Sequence, residues 1–296
     1  MKTSEKGAPA EAPFSTGFTP VSPDGPRPPW LKLRISADAM LAATRDRLHS
    51  LHLNTVCESA ACPNIGHCWK CGHATIMILG ANCTRHCRFC NVAKNKVLPP
   101  DPNEPERVAQ AVKASGLSGI VITSVTRDDL PDGGAAHWAA TICAIRSLCP
   151  TVSQEVLVPD FKGDRNALET VFAAKPDIFS HNVETVPRLY PSVRPEAVYS
   201  RSLEVLRAGA EAGFSTKTSL MLGLGETDDE IYRTLRDIRS TGVDTVFMGQ
   251  YLRPSPAHIP VAGYLSPEHF AALGDMARSL GFTKVESSPF IRSSYR

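Results

Sequence analysis

Two trios of cysteines, Cys57-x4-Cys62-x5-Cys68 and Cys83-x3-Cys87-x2-Cys90, follow one another closely. Any fold open to this chain must therefore bend its backbone twice to bring three thiols together. Structural zinc usually takes four Cys or His ligands in short paired spacings, whereas a 4Fe-4S cluster presents four irons that each need a ligand. Three thiolates on such a cluster leave one iron open. At the second trio that iron could take a small molecule through nitrogen and oxygen. At the first, a fourth ligand has to come from elsewhere in the chain. Zinc at the second trio would need His86 or His73, and three cysteines this close wrap one cubane more readily.

Nine cysteines is an odd number, the chain opens without a charged and then apolar leader, and no run reaches about 18 apolar residues. Reduced thiols and a cytoplasmic location are the expectation, with no membrane partner. The 296 residues can bury one large core or two modest ones. Lys plus Arg (32) nearly cancels Asp plus Glu (30), so no general field for nucleic acid is present.

Residues 1–28 are rich in Pro, Gly, Ser and Ala without a sustained period and read as a flexible leader. An amphipathic helix is expected over Asp38 to Leu51, capped by Ser36 or Asp38. The first trio lies in Ala61-Cys62-Pro63-Asn64-Ile65-Gly66, whose composition reads as irregular backbone. Apolar runs then recur at Ala74–Leu79, Gly119–Thr123, Val152–Leu157, Asp177–Phe179, Thr216–Leu220 and Thr245–Met248. Helical stretches lie between them at Glu104–Ala114, Ala135–Leu148, Arg165–Phe172, Ala197–Ala212 and Asp228–Ser240, and Phe282–Val285 reads as a final strand. This alternation predicts an α/β fold with a parallel sheet, either a partial (β/α)6 barrel or a doubly wound sheet. In a barrel the second trio falls in the loop after the first strand, at the edge where barrels place chemistry. The expected divisions are an N-terminal extension with one cluster site over 29–72, the barrel over 73–286 and a short tail over 287–296.

Three loops at predicted strand ends carry polar groups. Thr123 and Ser124 open the stretch through Arg127-Asp128-Asp129-Leu130-Pro131-Asp132-Gly133-Gly134, where Asp128 and Asp132 either contact a ligand or cap the next helix. His181-Asn182-Val183-Glu184 ends another strand; Asn182 and Glu184 are candidates for ligand contact, and His181 for the core. Leu222-Gly223-Leu224-Gly225-Glu226-Thr227 could bring backbone close to a nucleoside, or it is a turn into a helix boxed by Thr227 and Glu230. Cys71, Cys143 and Cys149 are expected to fill space.

The second trio, Cys83-Thr84-Arg85-His86-Cys87-Arg88-Phe89-Cys90, resembles the CxxxCx(aromatic)C signature of the radical S-adenosylmethionine (radical SAM) enzymes. Together with Cys57-Glu58-Ser59-Ala60-Ala61-Cys62-Pro63-Asn64-Ile65-Gly66-His67-Cys68, Val158-Pro159-Asp160-Phe161, Gln250-Tyr251-Leu252-Arg253-Pro254-Ser255 and Arg292-Ser293-Ser294-Tyr295, it makes residues 28 to 296 resemble the lipoyl synthase family. The resemblance implies a partial barrel of the radical SAM type and two 4Fe-4S clusters. One would sit on Cys83, Cys87 and Cys90, the other on Cys57, Cys62 and Cys68 with Ser293, or its neighbour Ser294, as fourth ligand. It implies two molecules of S-adenosyl-L-methionine (SAM) per lipoyl group, bound around Thr123, Ser124, Asn182, Glu184, Gly223, Gly225 and Glu226. The implied reaction inserts sulfur at C6 and C8 of an octanoyl chain on a lysine of a carrier protein, with the auxiliary cluster as sulfur source. The implied partners are that octanoylated lipoyl carrier, a low-potential electron donor and an iron-sulfur carrier that restores the auxiliary cluster, with the chain acting as a monomer. An electron carrier would need neither the Arg127–Gly134 nor the Leu222–Thr227 loop.

Overall fold

The computed structural model describes residues 14–32, 45, 53–60 and 62–295. The helix expected over 38–51 and its Ser36 or Asp38 cap lie outside the described residues, Arg45 apart. In chain order the elements are β1 (Asn54–Thr55), α1 (Val56–Ser59), α2 (Ile65–Lys70), β2 (His73–Ile78), α3 (Glu104–Ser115), β3 (Gly119–Ser124), α4 (Ala135–Leu148), β4 (Ser153–Leu157) and α5 (Arg165–Ala173). They continue with β5 (Ile178–Ser180), α6 (Tyr190–Val193), α7 (Tyr199–Glu211), β6 (Ser215–Leu222), α8 (Asp228–Ser240), β7 (Thr245–Gln250), α9 (Pro267–Ser279) and β8 (Lys284–Ser287). Strands β2 to β8 run parallel in sequence order, β1 adds antiparallel to β2, and the two ends of the sheet do not pair. This is the expected partial barrel, extended by β8 and by the two-residue β1.

The strands are buried on both faces, for two different reasons. Ile120, Ile122, Val156 and Phe179 join the helix-side core of the first half; Leu220, Val246 and Met248 join that of the second. Phe179 on β5 packs edge-on to Phe172 of α5, so its neighbour Ser180 faces the barrel interior. There Ser180 donates to Glu155 of β4 at 2.9 Å, and Lys217 of β6 pairs with the same carboxylate at 2.6 Å. A buried charge pair needs such a hydrogen-bonded setting to be tolerated. The interior thus mixes polar groups with apolar ones, such as the Phe247 ring beneath Lys217, and this mixture blurs the period of two that a half-polar sheet would show.

Helix ends follow local chemistry. Thr227 and Glu230 close a capping box on α8, and Asp164 caps α5. Asp132 accepts from Gly134 N–H at 2.8 Å and Ala136 N–H at 2.9 Å at the start of α4, the role left open for it in the sequence, whereas Asp128 does no such thing. Helix α9 was not anticipated, although Ser266 as N-cap and Pro267 at the first helical position are a start signal.

The segment read as a flexible leader is, over its described part, a docked strap. Phe14 stacks on Tyr232 of α8, Thr16 N–H donates to Asp228 at 2.8 Å, Val21 bridges Tyr264, and Trp30 Nε1 donates to the Leu265 carbonyl at 3.2 Å. Single aromatic anchors spaced along a proline-rich stretch leave no periodicity to detect, and prolines reduce the entropy lost on docking. No helix among the described residues is long and apolar enough to cross a membrane.

Candidate active site

The loop after β2 carries the second cysteine trio, and its backbone is tied to its surroundings on three sides. Cys83 N–H donates to the Ala93 carbonyl at 2.9 Å, Thr84 N–H to Thr126 at 3.1 Å and Arg88 N–H to Val193 at 2.9 Å. The Cys83 thiol accepts from the N–H groups of Arg85 (3.4 Å) and Thr126 (3.3 Å). All three thiols are half-buried. Burial raises Cys87 and pushes Cys90 up to about 11, and it raises Cys62 at the other trio as well. These groups hold protons at neutral pH without a metal, so loading a cluster must displace them.

Arg85, inside the trio, is the loop's main anchor. Its guanidinium, 4% exposed, takes Asp128 at 2.7 and 3.0 Å and Asp160 at 2.6 Å, and Arg201 of α7 reaches Asp160 at 3.3 Å. Four segments, following β2, β3 and β4 and in α7, are thereby locked together. Nothing in the sequence paired Arg85 with Asp160, because the partners are 75 positions apart. Burial alone would raise the Asp160 carboxyl, but Arg85 outweighs it and holds the group down to about 2. Its stabilising contribution is therefore complete above the ordinary aspartate value of about 3.9 and is lost as pH falls through about 2. Asp160→Asn leaves Arg85 with Asp128 alone and is expected to cost about 3 kcal/mol in denaturant unfolding near neutral pH. A loss under about 1 kcal/mol would show that the network does not hold the loop.

The candidate SAM residues gather at the carboxyl ends of the strands, on the side of the trio. Thr123 Oγ1 donates to the Leu157 carbonyl at 2.9 Å, so it joins β3 to β4. Ser124 Oγ and Asn182 Oδ1 are buried and have no hydrogen-bond partner in the protein. Orphaned polar atoms at a strand edge are what a polar cofactor would satisfy, and the residues present fit SAM on that ground. Glu184, in the left-handed region at φ 70°, receives Asn182 Nδ2 at 3.1 Å; burial raises its carboxyl although Arg194 opposes this. Gly223 (φ 97°) and Gly225 (φ 105°) shape the next loop. Both oxygens of Glu226 bind that loop's own N–H groups, at Gly223 and at Leu224 (2.9 Å), so Glu226 holds the loop's shape. His181 is a core residue: Nδ1 lies 2.8 Å from the Val158 carbonyl, Nε2 lies 3.1 Å from Ser202 Oγ, and burial pushes its pKa down to about 4.

The first trio borders a narrow recess lined by Cys57, Cys62 and Cys68 with Arg292, Ser294 and Tyr295 of the tail. Ser294, and not Ser293, is among the lining residues. Cys57 is buried at the start of α1, whose Thr55 cap accepts from Glu58 N–H, and Cys68 belongs to α2. Among the described residues no three His, Cys, Asp or Glu side chains are gathered tightly enough to hold a single metal ion. A mononuclear zinc site, with bonds of about 2.3 Å, needs such gathering; a cubane with each thiolate on its own iron does not. Three thiols and a hydroxyl around one recess fit a 4Fe-4S cluster. Cys71 is exposed, 3.9 Å from His67, and does not line the recess.

Comparison with known proteins adds to this geometry. The model of the radical SAM superfamily matches residues 77–238. The chain is 53% identical over 271 residues to the lipoyl synthase of Chlorobium limicola, covering 91% of this chain and 93% of the relative. It is 54% identical to that of Rubrobacter xylanophilus, covering 91% of this chain and 84% of the relative. With the lipoyl synthase of Oleidesulfovibrio alaskensis the identity is 51%, over 90% of this chain and 92% of the relative. Among solved structures it is similar in fold to methylornithine synthase, with a TM-score of 0.53, 13% identity and 87% of both chains covered. The Streptococcus suis enzyme SuiB, crystallised with SAM, gives a TM-score of 0.56 at 12% identity, over 73% of this chain and 50% of that one.

Proposed function

The chain belongs to the lipoyl synthase family of the radical SAM superfamily, and from that premise we propose how its residues divide the insertion of two sulfur atoms into an octanoyl-lysine. When bound, SAM with its cluster supplies a carbon radical able to break unactivated C–H bonds, and the auxiliary cluster supplies sulfur. Cys83, Cys87 and Cys90 hold the first cluster by three irons and leave the fourth for the cofactor. The anchor through Arg85 keeps that loop in one geometry, which limits the reorganisation needed before the electron moves. Ser124 Oγ and Asn182 Oδ1 take the cofactor's polar groups; Glu184, oriented by Asn182, binds beside them, and Gly223 and Gly225 let backbone approach it. Thr123 and Glu226 act one step back, by fixing strand ends and loop shape.

At the second site Cys57, Cys62 and Cys68 hold the auxiliary cluster, and a tail serine supplies the fourth ligand. A hydroxyl oxygen is harder than a thiolate and leaves iron more readily, which suits a cluster meant to give up sulfur. Ser294 takes this role in preference to Ser293, because adjacent side chains diverge and Ser294 borders the recess. The substrate is an octanoylated lipoyl carrier protein or domain. Electrons come from a low-potential donor, an iron-sulfur carrier restores the auxiliary cluster, and a monomer in the reducing cytoplasm suffices.

The observation that carries this reading is the convergence of Cys57, Cys62, Cys68 and Ser294 on one recess, apart from the Cys83 trio. After anaerobic reconstitution, iron and sulfide should each approach about eight per chain, for two 4Fe-4S clusters. A stable value of about four, with Cys57, Cys62 and Cys68 dispensable for lipoyl formation, would overturn it.

A further inference from the structure

The tail reaches the auxiliary recess by crossing β7, and the crossing point is a glycine. Ser288 N–H donates to the Met248 carbonyl at 3.2 Å, and Gln250 N–H donates to Pro289 at 3.2 Å, so the tail runs on beside β7 past the end of β8. Between those two bonds lies Gly249. A Cβ there would fall inside the contact shell of the Ile291 carbonyl oxygen, 3.0 Å from its carbon and 3.2 Å from Arg292 Nη1. The obstructing atoms are mainly backbone, which cannot swing aside as a side chain can. One residue before Ile291 the tail is gripped again: Asn64 Nδ2 donates to the Phe290 carbonyl at 2.7 Å. Asn64 is 8% exposed, and its carbonyl accepts Cys68 N–H at 2.9 Å. Asn64 thus holds the tail through its side chain and Cys68 through its backbone. A turn closed by Tyr295 N–H on the Arg292 carbonyl at 2.9 Å then presents Ser294.

We propose that Gly249 and Asn64 are positioning residues forming a two-point clamp that sets the tail's serine against the auxiliary site, Gly249 by leaving room at the crossing and Asn64 by holding Phe290. The clamp rests on the reading of Ser294 as iron ligand. It acts only through the tail, so its loss should mimic loss of the serine and spare the other cluster.

The test uses full-length protein in which Cys83, Cys87 and Cys90 are all alanine, so that only the auxiliary cluster contributes to the paramagnetic resonance spectrum of the reduced protein. Gly249→Ala should change that spectrum to the one given by Ser294→Ala, and Gly249→Ala added to Ser294→Ala should change nothing more. Asn64→Ala, a truncation that inserts nothing into the barrel, should shift the spectrum the same way. In the enzyme with all six cysteines, each clamp variant should lose lipoyl product by about 100-fold, as small misplacements of reacting groups do, and should retain 5'-deoxyadenosine release. A spectrum shifted by Ser294→Ala but untouched by both Gly249→Ala and Asn64→Ala overturns the clamp while the serine ligand stands. A spectrum that none of the three shifts overturns both. Loss of 5'-deoxyadenosine release in both clamp variants also overturns the clamp, because the effect then does not run through the tail.

Discussion

Cys87→Ala is expected to reduce SAM cleavage to the level of an enzyme-free control, with neither methionine nor 5'-deoxyadenosine formed above background under a strong reductant. With one thiolate missing, two of the four irons lack protein ligands, and the cofactor's anchoring point is lost with the cluster. The fold should survive, because the loop is held by Arg85 on Asp128 and Asp160 and by Arg88 N–H on Val193, none of which involves the Cys87 side chain. Unfolding curves close to those of the unmodified chain would establish that the loss is chemical. Cys143→Ala, on the exposed side of α4, is the matched control and should cleave SAM normally. Persistent cleavage by the Cys87 variant would remove this trio from the cofactor site.

The second large effect separates the two sites. Cys62→Ala should keep producing 5'-deoxyadenosine while forming no lipoyl group on an octanoyl-lysine peptide, followed by mass spectrometry. Iron content should fall to about four per chain. The separation is plausible physically because the Cys83 loop takes its anchors from the loops after β3, β4 and β7 and from the chain after α6, while Asn91 reaches the first trio's segment, donating to the Ser59 carbonyl at 2.7 Å. Lipoyl product at the unmodified yield would take the auxiliary cluster out of the mechanism.

Much of this arrangement was legible in the chain. The six apolar runs of the core became β2 to β7 nearly residue for residue, because helices cover their outer face, and Thr227 with Glu230 marked the start of α8. The cysteine trios were legible because ligand spacing is a local property. What stayed hidden depends on distance along the chain. Asp160 was quoted as part of a motif, but its two arginine partners lie 75 and 41 positions away, and no local pattern announces a buried ion pair of that kind. The strap over residues 14–31 was hidden for a different reason: its contacts are isolated anchors without period. The sequence placed Ser293 ahead of Ser294, and the role is proposed for Ser294 because the recess is lined by it, a consequence of how the tail enters that no local pattern encodes.

The recess joins Cys57, Cys62 and Cys68 to Ser294, groups far apart along the chain. That separation sets a schedule for biosynthesis. The loop with Cys83, Cys87 and Cys90 takes its anchors from the loops after β3 and β4, from Val193 and from His258 and Ile259 after β7, all of which precede the tail in the chain. With Ser294 as the proposed fourth ligand, the auxiliary site is complete only once residue 294 has emerged and passed Gly249, and a cluster placed there earlier would have three protein ligands. On the reading proposed above, the auxiliary site is closed only by a finished barrel, through a contact of long range and hence of a slow-forming kind.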